Sequence, residues 1–226
     1  YIIILPMSSS EPDTASFYGK KQFFDLGFEN VHAFDIRNED DITTEIVDSV
    51  KNASLIYMTG GDQNKFMSII KGTKLYNAMH DAYRNGAMIA GTSAGAALMS
   101  KKMITGNEHK HPEYTGDFMT IEANNIEIVE GLGFLANVII DQHFVKRMRM
   151  NRLISVCLEN PENECIGIDE STAILVDGKN VKVFGESQVI VIKHTGNETK
   201  VFNGLLGAKD ICVDIYLPGD SFKLKK

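Results

Sequence analysis

The strongest constraint on what this chain can fold into is a rhythm between Tyr1 and Ala97, where short apolar runs alternate with segments patterned for helix. Tyr1 to Pro6 is apolar and gives way to the polar loop Met7 to Ser10, the pattern of a buried strand. Ala15 to Leu26 carries Phe17 and Phe24 at helical spacing, with Phe23 and Leu26 beside them, and Gly27 is placed as the C-terminal cap. Val31 to Ile36 predicts a second strand. Ile42, Ile46, Val47 and Val50 form the stripe of a second helix, and Leu55 to Thr59 reads as a third strand ending in Gly60-Gly61-Asp62-Gln63. Helical patterns at Phe66 to Ile70 and Leu75 to Tyr83, stopped by Gly86, precede another buried run at Ala87 to Gly91. Parallel strands need long crossovers, and helices supply them while covering both faces of the sheet. The alternation predicts an α/β fold with a mostly parallel sheet flanked by helices.

The later chain changes character. A polar stretch runs from Thr105 to Thr120, then Val138 to Ile140 leads into a helix expected over Phe144 to Leu158. From Cys165 onward only short β-type runs remain, separated by turn signals such as Asp177-Gly178 and Thr195-Gly196, so an antiparallel C-terminal portion is expected. No repeat or linker divides the chain, and one domain over residues 1–226 is the economical expectation. With 43% hydrophobic and 23% charged residues, the composition excludes disorder. The apolar runs are too short to span a bilayer, so a soluble protein without a membrane partner is expected. A net charge of −7 lacks the basic field that phosphate binding requires, which argues against nucleic acid. Cys157, Cys165 and Cys212 have no Cys-x-x-Cys spacing and read as small buried hydrophobes. The sequence opens at Tyr1 inside an apolar run, so an upstream segment is expected to be missing. A cytoplasmic location is the working expectation, with export left open by that segment.

Polar residues collect directly behind the apolar runs, at Gly60 to Gln63, Thr92-Ser93, Asp141-Gln142-His143 and Asp169-Glu170. In an open parallel sheet the carboxyl ends of the strands form the ligand-binding edge, so these segments can converge there. Gly91-Thr92-Ser93-Ala94-Gly95 is a G-x-S-x-G pattern with strand character before it and small helix-forming residues after it, the context of a nucleophile elbow. A structural serine in a glycine-rich turn is the plain alternative.

A nucleophilic serine needs a base. His32 and His80 fall in a strand and a helix, and His194 at a turn. His109 and His111 lie in a polar loop with Glu108 and Glu113, which is more often just a loop than a metal site. His143 follows a buried run at once and is the best candidate. Glu170, Asp169 and Asp141 are all candidates for the acid that orients it, with Glu170 best placed. Lys146, Arg147, Arg149 and Arg152 follow on the expected helix, where Arg149 and Arg152 at i, i+3 share a face. Such a cluster could grip carboxylates, or be an ordinary solvated face.

GGDQ (Gly60 to Gln63), GTSAGAA (Gly91 to Ala97), DQHFVKRMRMNRL (Asp141 to Leu153) and GIDESTA (Gly167 to Ala173), in this order, resemble the cyanophycinases. That family sits with aspartyl dipeptidase among serine peptidases of a class I glutamine-amidotransferase-like α/β fold. The resemblance runs over nearly the whole chain. It implies Ser93 as nucleophile, His143 as base and Glu170 as acid, with a pocket built from Gln63, Asp141, Gln142, Arg147, Arg149 and Arg152. Gly61 and Ala94 N–H groups are the expected oxyanion donors, and neither metal nor organic cofactor is needed. The implied substrate is cyanophycin, a poly-aspartate backbone with arginine on each side-chain carboxyl, released as β-Asp-Arg dipeptides. The rival readings are an aspartyl or isoaspartyl dipeptidase on the same scaffold and a non-catalytic binding module. A homodimer is the candidate assembly. Two departures stand out: relatives carry a further N-terminal strand and sometimes an export signal, and residues 107–117 do not follow the family pattern.

Overall fold

The computed structural model describes residues 1–113, 120–196 and 198–225. They fall into two compact units, residues 1–99 and 100–226.

The first unit is built on a parallel sheet. β1 (Ile2–Leu5) is buried at all four positions, as a strand covered on both faces must be. α1 (Pro12–Asp25) leads to β2 (Val31–Ala33), and α2 (Thr44–Lys51), N-capped by Thr43, leads to β3 (Leu55–Met58). α3 (Gln63–Ile70) and α4 (Lys74–Arg84), capped by Asp62 and Thr73, precede β4 (Met88–Gly91) and the single turn α5 (Ala94–Ala97). The strand order is β2-β1-β3-β4, all parallel, with Ile2 opposite Val31 and Leu55, and Leu55 opposite Met88. The expected second strand ends at Ala33, short of Ile36.

α1 corrects one expectation. Phe17 and Phe24, its expected inner stripe, are 61% and 48% exposed. The helix meets the sheet instead through Gly19, where Ile4 lies 3.2 Å from the position a Cβ would take, and through Phe23 against Ile2, Ile4 and Val31. Gly27 ends it as expected, with φ +87° and its N–H on Phe24 O.

In the second unit β5 (Lys102–Glu108) pairs antiparallel with β6 (Ile126–Glu130), so part of the polar stretch is a strand. Thr105 Oγ1 and Asn107 Nδ2 donate to Glu127 Oε2 at 2.7 and 2.9 Å, which holds the pair where apolar alternation is missing. Positions 114–119, which take in the last four residues of the 107–117 departure, lie outside the described residues. β7 (Val138–Gln142), α6 (Met150–Glu159) and β8 (Glu164–Ile168) form a strand–helix–strand crossover unit in which β7 and β8 are parallel. β9 (Thr172–Asp177) and β10 (Asn180–Gly185) are a hairpin turning at Gly178. β11 (Val189–His194) is followed by the hairpin β12 (Thr199–Phe202) and β13 (Leu205–Ala208), then β14 (Ile211–Tyr216) and β15 (Ser221–Lys223). β14 and β11 extend the β8-β7 sheet antiparallel, giving the order β14-β11-β8-β7.

α6 packs Leu153, Val156 and Cys157 into a core with Ile139, Phe144, Cys165, Ile190 and Ile192. Cys157 and Cys165 are buried thiols and Cys212 is exposed. The helix expected from Phe144 starts only at Met150, because His143 and Met148 take positive φ (51° and 50°) and the segment between them is a pair of turns. No helix of the described residues is long and apolar enough to cross a membrane.

Candidate active site

In the first unit, Ser93 lies between β4 and α5 with φ 53° and ψ −113°. A non-glycine residue there stores of the order of 1–3 kcal/mol of backbone strain, held only because its surroundings leave no alternative. Those surroundings are glycines. A Cβ on Gly91 would lie 2.3 Å from Gly95 O, and one on Gly95 would lie 2.4 Å from Met58 O. Thr92 N–H donates to Met58 O at 3.1 Å and Gly95 N–H to Thr92 O at 2.8 Å, closing the bend. The G-x-S-x-G spacing is therefore a packing requirement: the two glycines let strand, bend and helix start pass at backbone distance.

The Gly60-Gly61 turn is equally confined. A Cβ on Gly60 would sit 3.2 Å from Ser93 Cβ, and Gly61, at φ +135°, would drive one to 2.0 Å from Ser8 O. Asp62 N–H donates to that same carbonyl at 2.7 Å. The backbone of this turn thus runs beside the serine on one side, with Ala94 opening the helix on the other. Gln63 is buried at the start of α3.

In the second unit, His143 directly follows β7 and Glu170 follows β8. His143 Nδ1 lies 3.0 Å from Glu170 Oε1. The three carboxylates that spacing left in competition have separate partners. Glu170 takes the imidazole. Asp169 Oδ1 accepts the N–H groups of Val145 and Lys146 at 3.1 and 2.9 Å, and its Oδ2 accepts Ser187 Oγ at 2.6 Å. Burial pushes the Asp169 carboxyl up, but these bonds outweigh it and hold the group below its ordinary range. Asp141, 1% exposed, forms a two-point ion pair with Arg152, with Arg152 Nε donating to Oδ2 at 2.9 Å and Nη2 to Oδ1.

The arginines require a correction. Arg149 and Arg152 do not share an exposed helix face. Arg149 precedes α6 as its N-cap residue and is 4% exposed; Arg152 is 2% exposed. Arg149 Nη1 donates to Gln142 O at 2.6 Å and to Gln142 Oε1 at 2.9 Å. Only Lys146 and Arg147 of the basic cluster are exposed. The guanidinium forks serve a buried network around Asp141 and Gln142, the two residues ahead of His143. The sequence held the signal in Asp141 and Arg152, but a spacing of eleven has no meaning until β7 and α6 are packed together.

Of the remaining histidines, His32 contacts Asn30 Oδ1 at 2.8 Å and His111 contacts Glu122 Oε2 at 2.9 Å. Among the described residues no group of three or more His, Cys, Asp or Glu side chains could hold a metal ion. Sequence reasoning weighed Asp169 only as the acid and passed over Ser187, whose partnership with it spans β9 and β10.

The comparisons with known proteins bear on this arrangement. The model of Peptidase family S51 matches residues 2–184. A cyanophycinase of Nostoc sp. is 32% identical over 99% of this chain and 75% of its own length. A peptidase E of the same genus is 22% identical over 77% of this chain and 67% of its own. The crystal structure of a peptidase from an acI-B1 Actinobacterium superposes with a TM-score of 0.73 at 24% identity, covering 99% of this chain and 83% of that one. That last likeness is one of fold. The family match takes in the serine elbow, the histidine turn and the glutamate that follows β8, and by it the chain belongs to peptidase family S51 and is a serine-type peptidase.

Proposed function

We propose that the two units act as one catalytic domain of class I glutamine-amidotransferase-like type, with Ser93, His143 and Glu170 as its triad. The observation that carries this reading is the contact of His143 Nδ1 with Glu170 Oε1 at 3.0 Å. An acid on Nδ1 fixes the tautomer that leaves Nε2 able to take a proton, and it stabilises the imidazolium that results. The strained turn supports Ser93 as its partner, because a sharp bend between a strand and a helix is the backbone of a nucleophile elbow.

In the proposed reaction Ser93 Oγ attacks the substrate carbonyl as His143 takes its proton. The N–H groups of Gly61 and Ala94 receive the charge on the carbonyl oxygen. The tetrahedral species collapses, and the departing amine leaves with the proton from His143. Water, deprotonated by the same base, then releases the acyl group and restores Ser93.

For substrate we propose cyanophycin, cut to β-Asp-Arg dipeptides, supported by the 32% identity to a cyanophycinase over 99% of this chain. Each repeat of that polymer carries an arginine carboxylate and a guanidinium. Gln63, Asp141, Gln142, Arg147, Arg149 and Arg152 form the proposed pocket with divided labour: exposed Arg147 meets a substrate carboxylate, while the Asp141–Arg152 and Arg149–Gln142 pairs hold its wall. The likeness to a peptidase E favours an aspartyl dipeptidase as the second reading. Incubation with insoluble cyanophycin and mass analysis of the soluble product tests the choice. Release of β-Asp-Arg at a kcat/KM at least about tenfold above that for a plain Asp-X dipeptide supports the polymer. Equal values would select the dipeptidase, and hydrolysis of neither would overturn both substrate readings.

A further inference from the structure

Two neighbouring residues behind β8 hold different parts of one short segment. Glu170 takes the His143 ring, and Asp169 takes the backbone that follows it, through Val145 and Lys146 N–H. The segment needs holding, since His143 itself has φ 51° and the chain then turns twice before α6. Phe144 N–H donates to Ile168 O at 3.2 Å, and Arg147 N–H returns to His143 O at 2.9 Å. From the other side, Ser187 Oγ fixes Asp169 Oδ2, and Asp169 N–H donates to Gln188 O at 3.2 Å. The carboxylate therefore ties three stretches of chain together at the base.

We propose that Asp169, oriented by Ser187, is a positioning residue for the His143 base: its carboxylate pins residues 145 and 146 and so sets where the imidazole points. This rests on the triad reading above. The low-lying carboxyl of Asp169 accords with it, since an anion accepting two N–H groups and a hydroxyl is what those bonds favour. The role is separate from that of Glu170, because Asp169 acts on backbone N–H groups and needs to be an acceptor there.

The test is labelling of Ser93 by a fluorophosphonate, in which Oγ displaces fluoride while His143 takes the hydroxyl proton. The readout follows serine and base without a substrate. Asp169→Ala is expected to lower both the labelling rate and kcat by about 10²-fold with KM within about threefold, the scale for an ångström of misplacement. Asp169→Asn is expected to recover to within about tenfold of wild type, since an amide oxygen still accepts both N–H groups at roughly half the strength. Labelling of Asp169→Ala at the wild-type rate overturns this proposal alone, as does Asp169→Asn being as slow as Asp169→Ala. A wild type that the probe does not label at Ser93 overturns the triad and this proposal with it. If Asp169→Ala does not fold, Asp169→Asn with Ser187→Ala carries the test. Without the hydroxyl the amide loses its preferred orientation, and labelling at least about fivefold slower than in Asp169→Asn is expected; equal rates overturn the proposal.

Discussion

The two units hold their proposed triad residues by different means. Residues 1–99 confine Ser93 by backbone packing, through glycines that could not carry a Cβ beside Gly95 O, Met58 O and Ser8 O. Residues 100–226 fix His143 with charged side chains, in the Asp141–Arg152 pair, Arg149 on Gln142, Asp169 on the turn and Glu170 on the ring. Backbone packing is insensitive to pH and salt and intolerant of added volume. A charge network tolerates some change of shape and fails when one partner is lost. The side carrying the proposed nucleophile is thus sterically brittle and the side carrying the proposed base electrostatically brittle.

Four outcomes break or sharpen that contrast. Ser93→Ala removes only a hydroxyl and is expected to cost at least about 10³-fold in kcat with an unchanged melting curve. Steady-state kinetics and calorimetry check it, and retained turnover would remove Ser93 from the chemistry. Arg152→Ala leaves Asp141 buried without its two-point partner and is expected to cost about 3–5 kcal/mol of stability, read by denaturant unfolding. A loss below about 1 kcal/mol, the scale of a surface pair, would mean that the network does not hold the segment around His143. Gly95→Ala forces a methyl to 2.4 Å from Met58 O and is expected to cost about 2–3 kcal/mol, again by unfolding. A silent Gly95→Ala would deny the steric account of the elbow.

The smallest effect is acid lability. Asp169, and Glu127 through its bonds from Thr105 and Asn107, have carboxyls below their ordinary range. A depressed folded pKa gives stability that is complete above the unfolded value of about 4 and is lost as pH falls through the folded value. Melting temperature is therefore expected to drop from about pH 4 downward, and Asp169→Asn to flatten part of the drop. A profile identical to wild type in that variant would deny the carboxylate its share.

How much was legible in the sequence follows the same division. Ile2–Leu5, Leu55–Met58 and Met88–Gly91 are continuous apolar runs, so the parallel sheet could be read from local pattern. The Ser93 elbow was equally readable, because its glycines are neighbours in the chain. Phe17 and Phe24 misled because Gly19, which has no side chain to count, makes the contact. β5 was hidden because Thr105 and Asn107 are held by Glu127, twenty-two and twenty residues away. The helix onset at Met150 and the burial of Arg152 depend on Asp169 and Asp141, both supplied by other elements. Motif resemblance singles out Glu170, whereas spacing leaves Asp169 and Asp141 beside it, because the partner of each carboxylate comes from another element.

The cysteines give the second unit a clock that the first lacks. Cys157 and Cys165 are sealed in its core, Cys212 is open to solvent, and all three of the chain's cysteines follow residue 99. A thiol reagent should consume one equivalent at once and two more only as fast as the α6–β8 core opens. Under conditions where opening is rare and modification quick, that slow phase measures the breathing of the unit that carries His143, while the unit that carries Ser93 contributes no signal.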